Sequence, residues 1–290
     1  MSLQIGIVGL PNVGKSTLFN ALTDNNILAA NYPFATIEPN TGIVPIPDER
    51  LQKLGELYKS QKIVLATVTF VDIAGLVAGA SQGEGLGNQF LANIRSCSAI
   101  CQVVRAFKDD NVVHVDSDHD PKKDIDVINT ELMLADLQTI EKRLPRTEKE
   151  ARANPKLKPI LDTLNKAKYY LDSGTPLSVV NNVDYELISD LQLLTAKPVI
   201  YMFNVDEETL AQEQKKTELS KLVEPSRSLF VCAKLESELK GLDAQVPVLA
   251  VGKREVPHRA AQGRLEVRAR GHHFVHQLTV VAHSAQVGVR

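Results

Sequence analysis

The 290-residue sequence has few cysteines, no long apolar run and almost no net charge. No stretch approaches the roughly 18 apolar residues of a membrane-spanning helix, and no charged-then-apolar signal precedes the first predicted strand, so we predict a cytoplasmic protein without a membrane partner. The cysteines, Cys97, Cys101 and Cys232, lack a paired C-x-x-C spacing, which argues against a disulfide framework and against a zinc site. A net charge of −2 argues against binding DNA by bulk electrostatic attraction.

A phosphate-binding loop is the most informative pattern that the sequence does contain. Positions 9–16 read G-L-P-N-V-G-K-S and fit G-x-x-x-x-G-K-[ST]. The apolar run at 3–8 predicts a strand before this pattern, and residues 16–22 predict a helix after it. Because the motif requires a strand-to-helix turn, we predict that the chain binds a nucleoside triphosphate.

Each residue type in this loop has a chemical reason. Gly9 and Gly14 permit unusual backbone angles and close approach, so successive N–H groups and the helix N-terminus can surround a phosphate. The Lys15 ammonium neutralises the terminal phosphates, and the Ser16 hydroxyl can hold Mg²⁺.

An acidic residue follows a later predicted strand. Strands are predicted at 41–45 and 64–71, and the second ends at Asp72. In an α/β sheet this carboxylate leaves the strand at the same edge as the phosphate-binding loop, where a magnesium ion would lie. Gly75 can then turn its N–H toward the γ-phosphate.

Two segments have the composition of loops that change with the ligand. Residues 31–40 are interrupted by proline and predict an extended surface loop. Residues 76–88 contain several glycines, too many for fixed structure, and predict a switch segment that is ordered by a nucleotide.

The region between two later strands has a different periodicity. Strands are predicted at 99–107 and 198–204, but residues 124–194 are helical in pattern. Apolar spacing supports this through Ile125, Ile128, Leu132 and Ala135 and then through Leu157, Leu161, Leu164, Lys168 and Leu171. We predict an antiparallel helical hairpin inserted into the sheet domain, with two surface helices of the same domain as the alternative.

The end of the chain has an unusual composition. From position 244 onward there is no Asp, Asn, Ile or Tyr, while Val, Arg and His are abundant. The histidines have no accompanying Cys and match no usual metal spacing. The abrupt change predicts that residues 244–290 are translated in a shifted reading frame.

Several strings together carry a family resemblance. They are G-L-P-N-V-G-K-S, N-Y-P-F-A-T-I-E-P-N, D-I-A-G-L-V-A-G-A, G-E-G-L-G-N-Q-F, R-A-F-K-D-D, D-I-D-V-I-N-T-E-L and N-V-D-E. Over residues 1–243 the chain closely resembles the YchF or Obg-like ATPase family, a group of translation-factor-class P-loop proteins. The resemblance implies an α/β fold with a Ras-like, mainly parallel nucleotide-binding domain that is interrupted by an α-helical coiled-coil insert. It also implies association with ribosomes and a preference for ATP over GTP.

The resemblance suggests how the chain is divided. Residues 1–123 and 195–243 correspond to the nucleotide-binding domain, and residues 124–194 correspond to the helical insert. Members of the family normally continue into a small β-grasp module, the TGS domain, and nothing in residues 244–290 resembles it.

The resemblance also assigns the phosphate and metal sites. It implies that the phosphates are held by Asn12, Val13, Gly14, Lys15, Ser16 and Thr17. Ser16 and Thr36 would coordinate Mg²⁺, and Asp72 would reach the ion through water. Asn12 is also a candidate for binding K⁺, by analogy with cation-dependent relatives.

Base selection is predicted from the string at 204–207. Relatives that select guanine carry Asn-Lys-x-Asp there, whereas this chain has Asn204, Val205 in place of Lys, and Glu207 in place of Asp. Without this Asp the site lacks the hydrogen bonds that favour guanine and the repulsion that disfavours adenine, so adenine becomes permissible. Asp206 could partly substitute, which leaves GTP as the alternative. Phe107 and Met202 are candidates at strand ends to line the base pocket or to belong to the core.

Hydrolysis is predicted to be slow. Ras-like enzymes orient the attacking water with a Gln after D-x-x-G, and this chain has Leu76 there. We predict Gly75 and His114 as the catalytic positions, with a solvated loop histidine as the alternative for His114. The sequence thus predicts a ribosome-associated, Mg²⁺-dependent ATP hydrolase. An ATP-gated scaffold without significant hydrolysis and an inactive truncated product remain alternatives.

Overall fold

The computed structural model describes residues 3–23, 40–46, 48–73, 86–107 and 120–243. Six strands are present in this part of the chain: β1 (Leu3–Val8), β2 (Asn40–Pro45), β3 (Thr67–Asp72), β4 (Ala99–Ala106), β5 (Val199–Val205) and β6 (Arg227–Val231). The described α-helices are α1 (Lys15–Thr23), α2 (Glu49–Leu57), α3 (Leu86–Ser96), α4 (Pro121–Ala153), α5 (Lys158–Asp172), α6 (Glu207–Ala211), α7 (Glu213–Lys221) and α8 (Ala233–Asp243). Short 3-10 segments occur at Pro155–Leu157, Leu177–Val179 and Tyr185–Leu191.

The strands form one mixed sheet in the order β2-β3-β1-β4-β5-β6. Only β2 runs antiparallel to its neighbour, and the other pairs are parallel. The carboxyl ends of β1, β3, β4, β5 and β6 therefore meet at one side of the sheet, which we call the carboxyl edge. The predicted mainly parallel α/β sheet is confirmed, and sites in such sheets lie at this edge.

The sheet strands are apolar because both faces are covered. Ile5 and Ile7 of β1 are fully buried, together with Phe70 of β3, in a core that also includes residues of α1 and α3. A second cluster, around Val104 and Phe203, packs with residues of α4 and α7. Burial on both faces explains the near-continuous apolar runs of the parallel strands.

The helical insertion begins as a crossover helix on the sheet. Ile128, Leu132 and Ala135 of α4 belong to the main core, whereas Ile140 packs in a separate cluster with residues of α5, including Leu164. Helix α4 is 33 residues long, so it extends beyond the sheet and then packs antiparallel against α5. The helical insert is confirmed, but its first turns also cover the sheet. The domain boundaries given above stay a prediction.

Several local expectations were wrong. No helix was predicted where α2 lies, although Asp48 caps it by accepting a hydrogen bond from the Arg50 N–H (2.9 Å). Strand β3 begins at Thr67 rather than at 64, and Val64 is exposed. Helix α3 begins at Leu86, so the end of the predicted switch segment 76–88 is helical. Sequence windows miss these boundaries because tertiary contacts decide where a short element begins.

No helix among the described ranges is long and apolar enough to span a bilayer. The predicted tail, residues 244–290, lies outside the described residues.

Candidate nucleotide-binding site

The phosphate-binding loop has the backbone that its sequence predicts. Gly14 has a φ of 95° and Asn12 a φ of 62°, both in the left-handed region. A Cβ on Gly9 would lie 2.6 Å from the carbonyl oxygen of Val103 in β4, so only glycine fits there. The loop therefore turns tightly against the sheet and leads directly into the N-terminus of α1, a favourable position for an anion.

The Lys15 side chain is buried at this loop. Its Nζ donates to the Leu10 carbonyl oxygen (2.9 Å), and only 7% of the residue is exposed. Burial lowers the pKa of Lys15 to about 8, although the nearby Asp72 carboxylate opposes this shift. An ammonium group in such a position gains from any anion that replaces the lost water.

Asp72 and Ser16 lie together at the carboxyl edge. The Ser16 hydroxyl donates to Asp72 Oδ2 (3.3 Å), and Asp72 Oδ1 is buried without a hydrogen-bond partner among the described residues. Burial raises the pKa of Asp72, while Lys15 and the Ser16 hydrogen bond oppose the shift. A hydroxyl and an incompletely satisfied carboxylate are oxygen ligands that suit Mg²⁺, which also keeps waters and takes substrate phosphates. The residues present thus fit the metal ion that the fold implies.

Asn204 joins three parts of the site. Its Nδ2 donates to the Val13 carbonyl oxygen (2.9 Å), and its Oδ1 accepts from the Ala233 N–H (3.0 Å). Gly14 has no Cβ, and a Cβ there would collide with the Asn204 amide. The end of β5, the phosphate-binding loop and the start of α8 are therefore held together by one side chain.

Sequence reasoning missed the contribution of Ala233. The signal was the apolar run 229–233, which ends a strand at the same edge as the other site residues. Neither β6 nor α8 was predicted, so the role of Ala233 as a backbone donor could not be inferred.

The two acidic residues after β5 lie at the start of helix α6. Asp206 caps α6 by accepting from the Thr209 N–H (2.7 Å), and this bond lowers the pKa of Asp206. Glu207 is the first residue of α6 and is exposed. The Val205 side chain is buried in the cluster around Phe203. Its side chain therefore belongs to the core.

Comparison with known proteins agrees with this geometry. A family described as "50S ribosome-binding GTPase" matches residues 4–205. The protein named "Ribosome-binding ATPase YchF" from Bacillus subtilis is 48% identical over 253 residues, covering 84% of this chain and 69% of that protein. The chain belongs to the YchF family. The protein with the same name from Haemophilus influenzae is 47% identical, covering 86% of this chain and 70% of its own length.

A solved structure supports the YchF fold as well. The structure of the Schizosaccharomyces pombe YchF GTPase is 38% identical in sequence and superposes with a TM-score of 0.65. The match covers 83% of this chain and 68% of that chain. The Ras-like nucleotide domain expected from the sequence is therefore confirmed.

The two candidates for the base pocket, Phe107 and Met202, have different positions in this YchF-family chain. Met202 lies in the middle of β5, not at its end, and is fully buried in the main core. The expectation of a strand-end position was wrong for Met202, because β5 continues to Val205. Phe107 directly follows β4 and is half-buried, with the Arg105 guanidinium carbon 4.5 Å from its ring centroid.

Several predicted residues of the site lie outside the described residues. They are Thr36, Gly75, Leu76 and His114. Thr17 lies in the first turn of α1 and is half-buried. The described part of the site thus brings together the phosphate-binding loop, Asp72 and Asn204.

Proposed function

We propose that this chain is a nucleotide-dependent switch that binds and slowly hydrolyses ATP, prefers ATP over GTP and associates with the ribosome in the cytoplasm. The curated relatives reported above have "ribosome-binding ATPase" in their names. The geometry around Lys15 and Asp72 supports a triphosphate with Mg²⁺. We propose Ser16 and Thr36 as the protein ligands of the ion, with Asp72 acting through water. K⁺ would bind through Asn12, and replacing K⁺ by Na⁺ during nucleotide titration tests this assignment.

The proposed preference for ATP over GTP rests on the position of the two carboxylates after β5. A guanine-selective site needs a carboxylate that accepts from two N–H groups of the base. Asp206 instead accepts from the backbone of α6, and Glu207 is exposed at the start of that helix. Without a carboxylate committed to guanine, adenine meets no repulsion at its N1 lone pair.

Calorimetric titration with Mg·ATP and Mg·GTP tests the base preference. We expect tighter binding of ATP, and Lys15→Ala should abolish useful binding of both nucleotides. Glu207→Asp should move the preference toward guanine by about 1–3 kcal/mol, the range for a gained base-edge hydrogen bond. Glu208→Asp, at the next exposed position of α6, is the matched control and should change neither affinity. Equal affinities of the unaltered chain for both nucleotides would contradict the proposal.

GTP hydrolysis is the second candidate. The matched family and the Schizosaccharomyces pombe structure are both named as GTPases. Tighter binding of Mg·GTP in the same titration would favour this candidate.

Slow turnover is proposed from Leu76, which cannot orient the attacking water. We propose that His114 does so together with the backbone of Gly75. His114→Ala should slow hydrolysis at least tenfold, about 1.4 kcal/mol in barrier, with nucleotide affinity nearly unchanged. Phosphate release measured with and without ribosomes checks this. An unchanged rate would indicate that His114 is a solvated loop histidine without a role in hydrolysis.

A further inference from the structure

Arg105 is an unusual residue at the carboxyl edge because its charged side chain is buried. Only 2% of it is exposed, although it lies one residue before the end of β4. Burying a guanidinium is costly, and an apolar side chain of similar volume would fill the space at lower cost. Packing alone therefore does not explain an arginine at this position, and its contacts indicate a further role.

The contacts of Arg105 hold Phe107 in two ways. The guanidinium carbon lies 4.5 Å from the Phe107 ring centroid, and Nε donates to the Phe107 carbonyl oxygen (3.4 Å). One contact fixes the ring and the other fixes the backbone. Because Phe107 is half-buried, part of the ring surface remains accessible beyond the guanidinium.

The strand register places this pair beside the base-recognition segment. Arg105 pairs with Asn204, and Ala106 pairs with Val205, across the parallel strands β4 and β5. Phe107 therefore leaves the sheet next to the point where Asp206 follows β5. Asn204 in turn bonds to the phosphate-binding loop and to Ala233.

We propose that Arg105 is a positioning residue that holds the Phe107 ring as a stacking platform for the nucleotide base. The inference rests on the proposed function, because it requires a nucleoside triphosphate in this site. Stacking on an aromatic ring tolerates either purine, since every base has a π-face. Arg105 thus contributes to base affinity, whereas discrimination between adenine and guanine depends on the residues after β5.

Titration with two ligands that share the phosphates tests this role. Arg105→Met, which keeps the apolar stem but removes the cation, should weaken Mg·ATP binding about fivefold, because a Phe107 ring that is no longer held in place must be ordered before it can stack on the base. Binding of Mg·tripolyphosphate, which has no base, should not change. Arg105→Lys keeps a cation near the ring and should lose less affinity for ATP.

A double variant shows whether the two residues act together. Phe107→Leu should weaken ATP binding by a similar factor and leave tripolyphosphate binding intact. Adding Arg105→Met to Phe107→Leu should cause no further loss, because the residue that Arg105 positions is already absent. Equal loss for tripolyphosphate, unchanged ATP affinity or fully additive losses would each overturn the proposal.

A fluorescence measurement tests stacking at position 107 without altering Arg105, and Arg105→Lys covers the case in which Arg105→Met does not fold. The chain contains no tryptophan, so Phe107→Trp introduces a single emission signal. Saturating Mg·ATP should quench it, whereas Mg·tripolyphosphate should not. Tyr169→Trp, at an exposed position of α5, is the control and should not respond. Unchanged emission from Phe107→Trp with bound ATP would overturn the proposal.

The outcomes for the two proposals are separable. If the unaltered chain bound neither Mg·ATP nor Mg·GTP, the proposed function would fail. If it bound GTP more tightly, only the ATP preference would fail, and the stacking role of Arg105 would still be decided by the variants.

Discussion

Asp72 at the carboxyl edge and Asp136 in α4 are both carboxylates that burial makes harder to ionise, yet their surroundings differ. Burial raises the pKa of both groups. Asp136 accepts from the Leu194 N–H (2.8 Å), the Thr195 N–H (2.8 Å) and the Thr195 hydroxyl (2.6 Å). Asp72 accepts a longer bond from the Ser16 hydroxyl (3.3 Å), and its Oδ1 has no hydrogen-bond partner in the part of the chain that the structure describes.

This difference indicates that Asp136 has a structural role, whereas Asp72 is available to interact with a ligand. Both oxygens of Asp136 are used to join α4 to the segment that enters β5. Nearby, Lys197 Nζ donates to the carbonyl oxygens of Arg95 (2.9 Å) and Cys97 (2.5 Å), so the same junction also holds the end of α3. At the carboxyl edge, Lys15 and Asp72 have both lost water without full replacement. Such groups lower stability in the free protein and become favourable when a charged ligand arrives.

The largest effect is expected from removing the structural carboxylate. Asp136→Ala leaves two backbone N–H groups and one hydroxyl without an acceptor, which should lower the free energy of unfolding by about 3–5 kcal/mol. Urea unfolding followed by circular dichroism measures it. Asp172→Ala, which removes an exposed carboxylate bonded to Lys168, is the control. A loss no larger than that of the control would show that Asp136 does not anchor the insert.

A pH effect is expected from the buried ammonium of Lys15. Burial lowers its folded-state pKa to about 8, below the ordinary lysine pKa of 10.5. Between these values the unfolded chain binds more protons, so the free energy of unfolding should rise as pH increases through this range, by about 2–3 kcal/mol. Below pH 8 the charged form is present in both states and this gain is absent.

The Lys15→Met variant isolates the Lys15 contribution. The free energy of unfolding in urea is measured for the unaltered chain and the variant between pH 7 and about 10.5. The difference between the two pH profiles excludes the contribution of all other titrating groups. The rise with pH should be missing in the variant. Parallel profiles for the two proteins would show that Lys15 is not desolvated in the free chain.

A smaller effect is expected from the carboxylate of the ligand site. Asp72→Asn should weaken Mg·ATP binding about tenfold, or 1.4 kcal/mol, and reduce the dependence of binding on Mg²⁺. Without nucleotide the free energy of unfolding should be unchanged or higher, because a buried charge is removed. Titration with and without Mg²⁺, together with urea unfolding, measures both quantities. If Asp72→Asn destabilised the chain as much as Asp136→Asn, the comparison between the two carboxylates would break down.

The smallest effect is expected from the exposed ion pairs of the insert. Lys168 contacts Glu141 across the helical hairpin (3.0 Å) and Asp172 on its own helix (3.0 Å). Lys168→Met should change the free energy of unfolding by only about 0–1 kcal/mol, because exposed pairs are solvated and lose side-chain entropy. Leu164→Ala, in the buried core between α4 and α5, should cost about 2–5 kcal/mol in the same measurement.

Local patterns predicted most of the fold. Strand β1 was predicted with the bounds that it has, and β2, β4 and β5 each differ by one residue at one or both ends. These runs are readable because burial on both faces demands continuous apolar residues. Helix α2 was not predicted, since its nine residues are weakly apolar and two of its three leucines, Leu54 and Leu57, remain exposed.

The helical stripe of α5 shows where a pattern stops being sufficient. Leu164 and Leu171 are buried as the heptad spacing predicts, and Lys168 extends from the same stripe to Glu141 on α4. The spacing predicts that one face is apolar, but it does not identify the partner helix or the ion pair.

The phosphate-binding loop, the mainly parallel sheet, the helical insert and the family were all predictable without coordinates. Each depends on residue types at short, regular spacing, which directly reflect backbone geometry and burial. Contacts between distant residues became known only from the folded chain: Asn204 with Val13 and Ala233, Asp136 with Thr195, and Arg105 paired with Asn204 across the strands. It also showed that Met202 belongs to the core and that Asp206 caps a helix. These assignments depend on strand register and on packing between segments far apart in the chain, which no local pattern encodes.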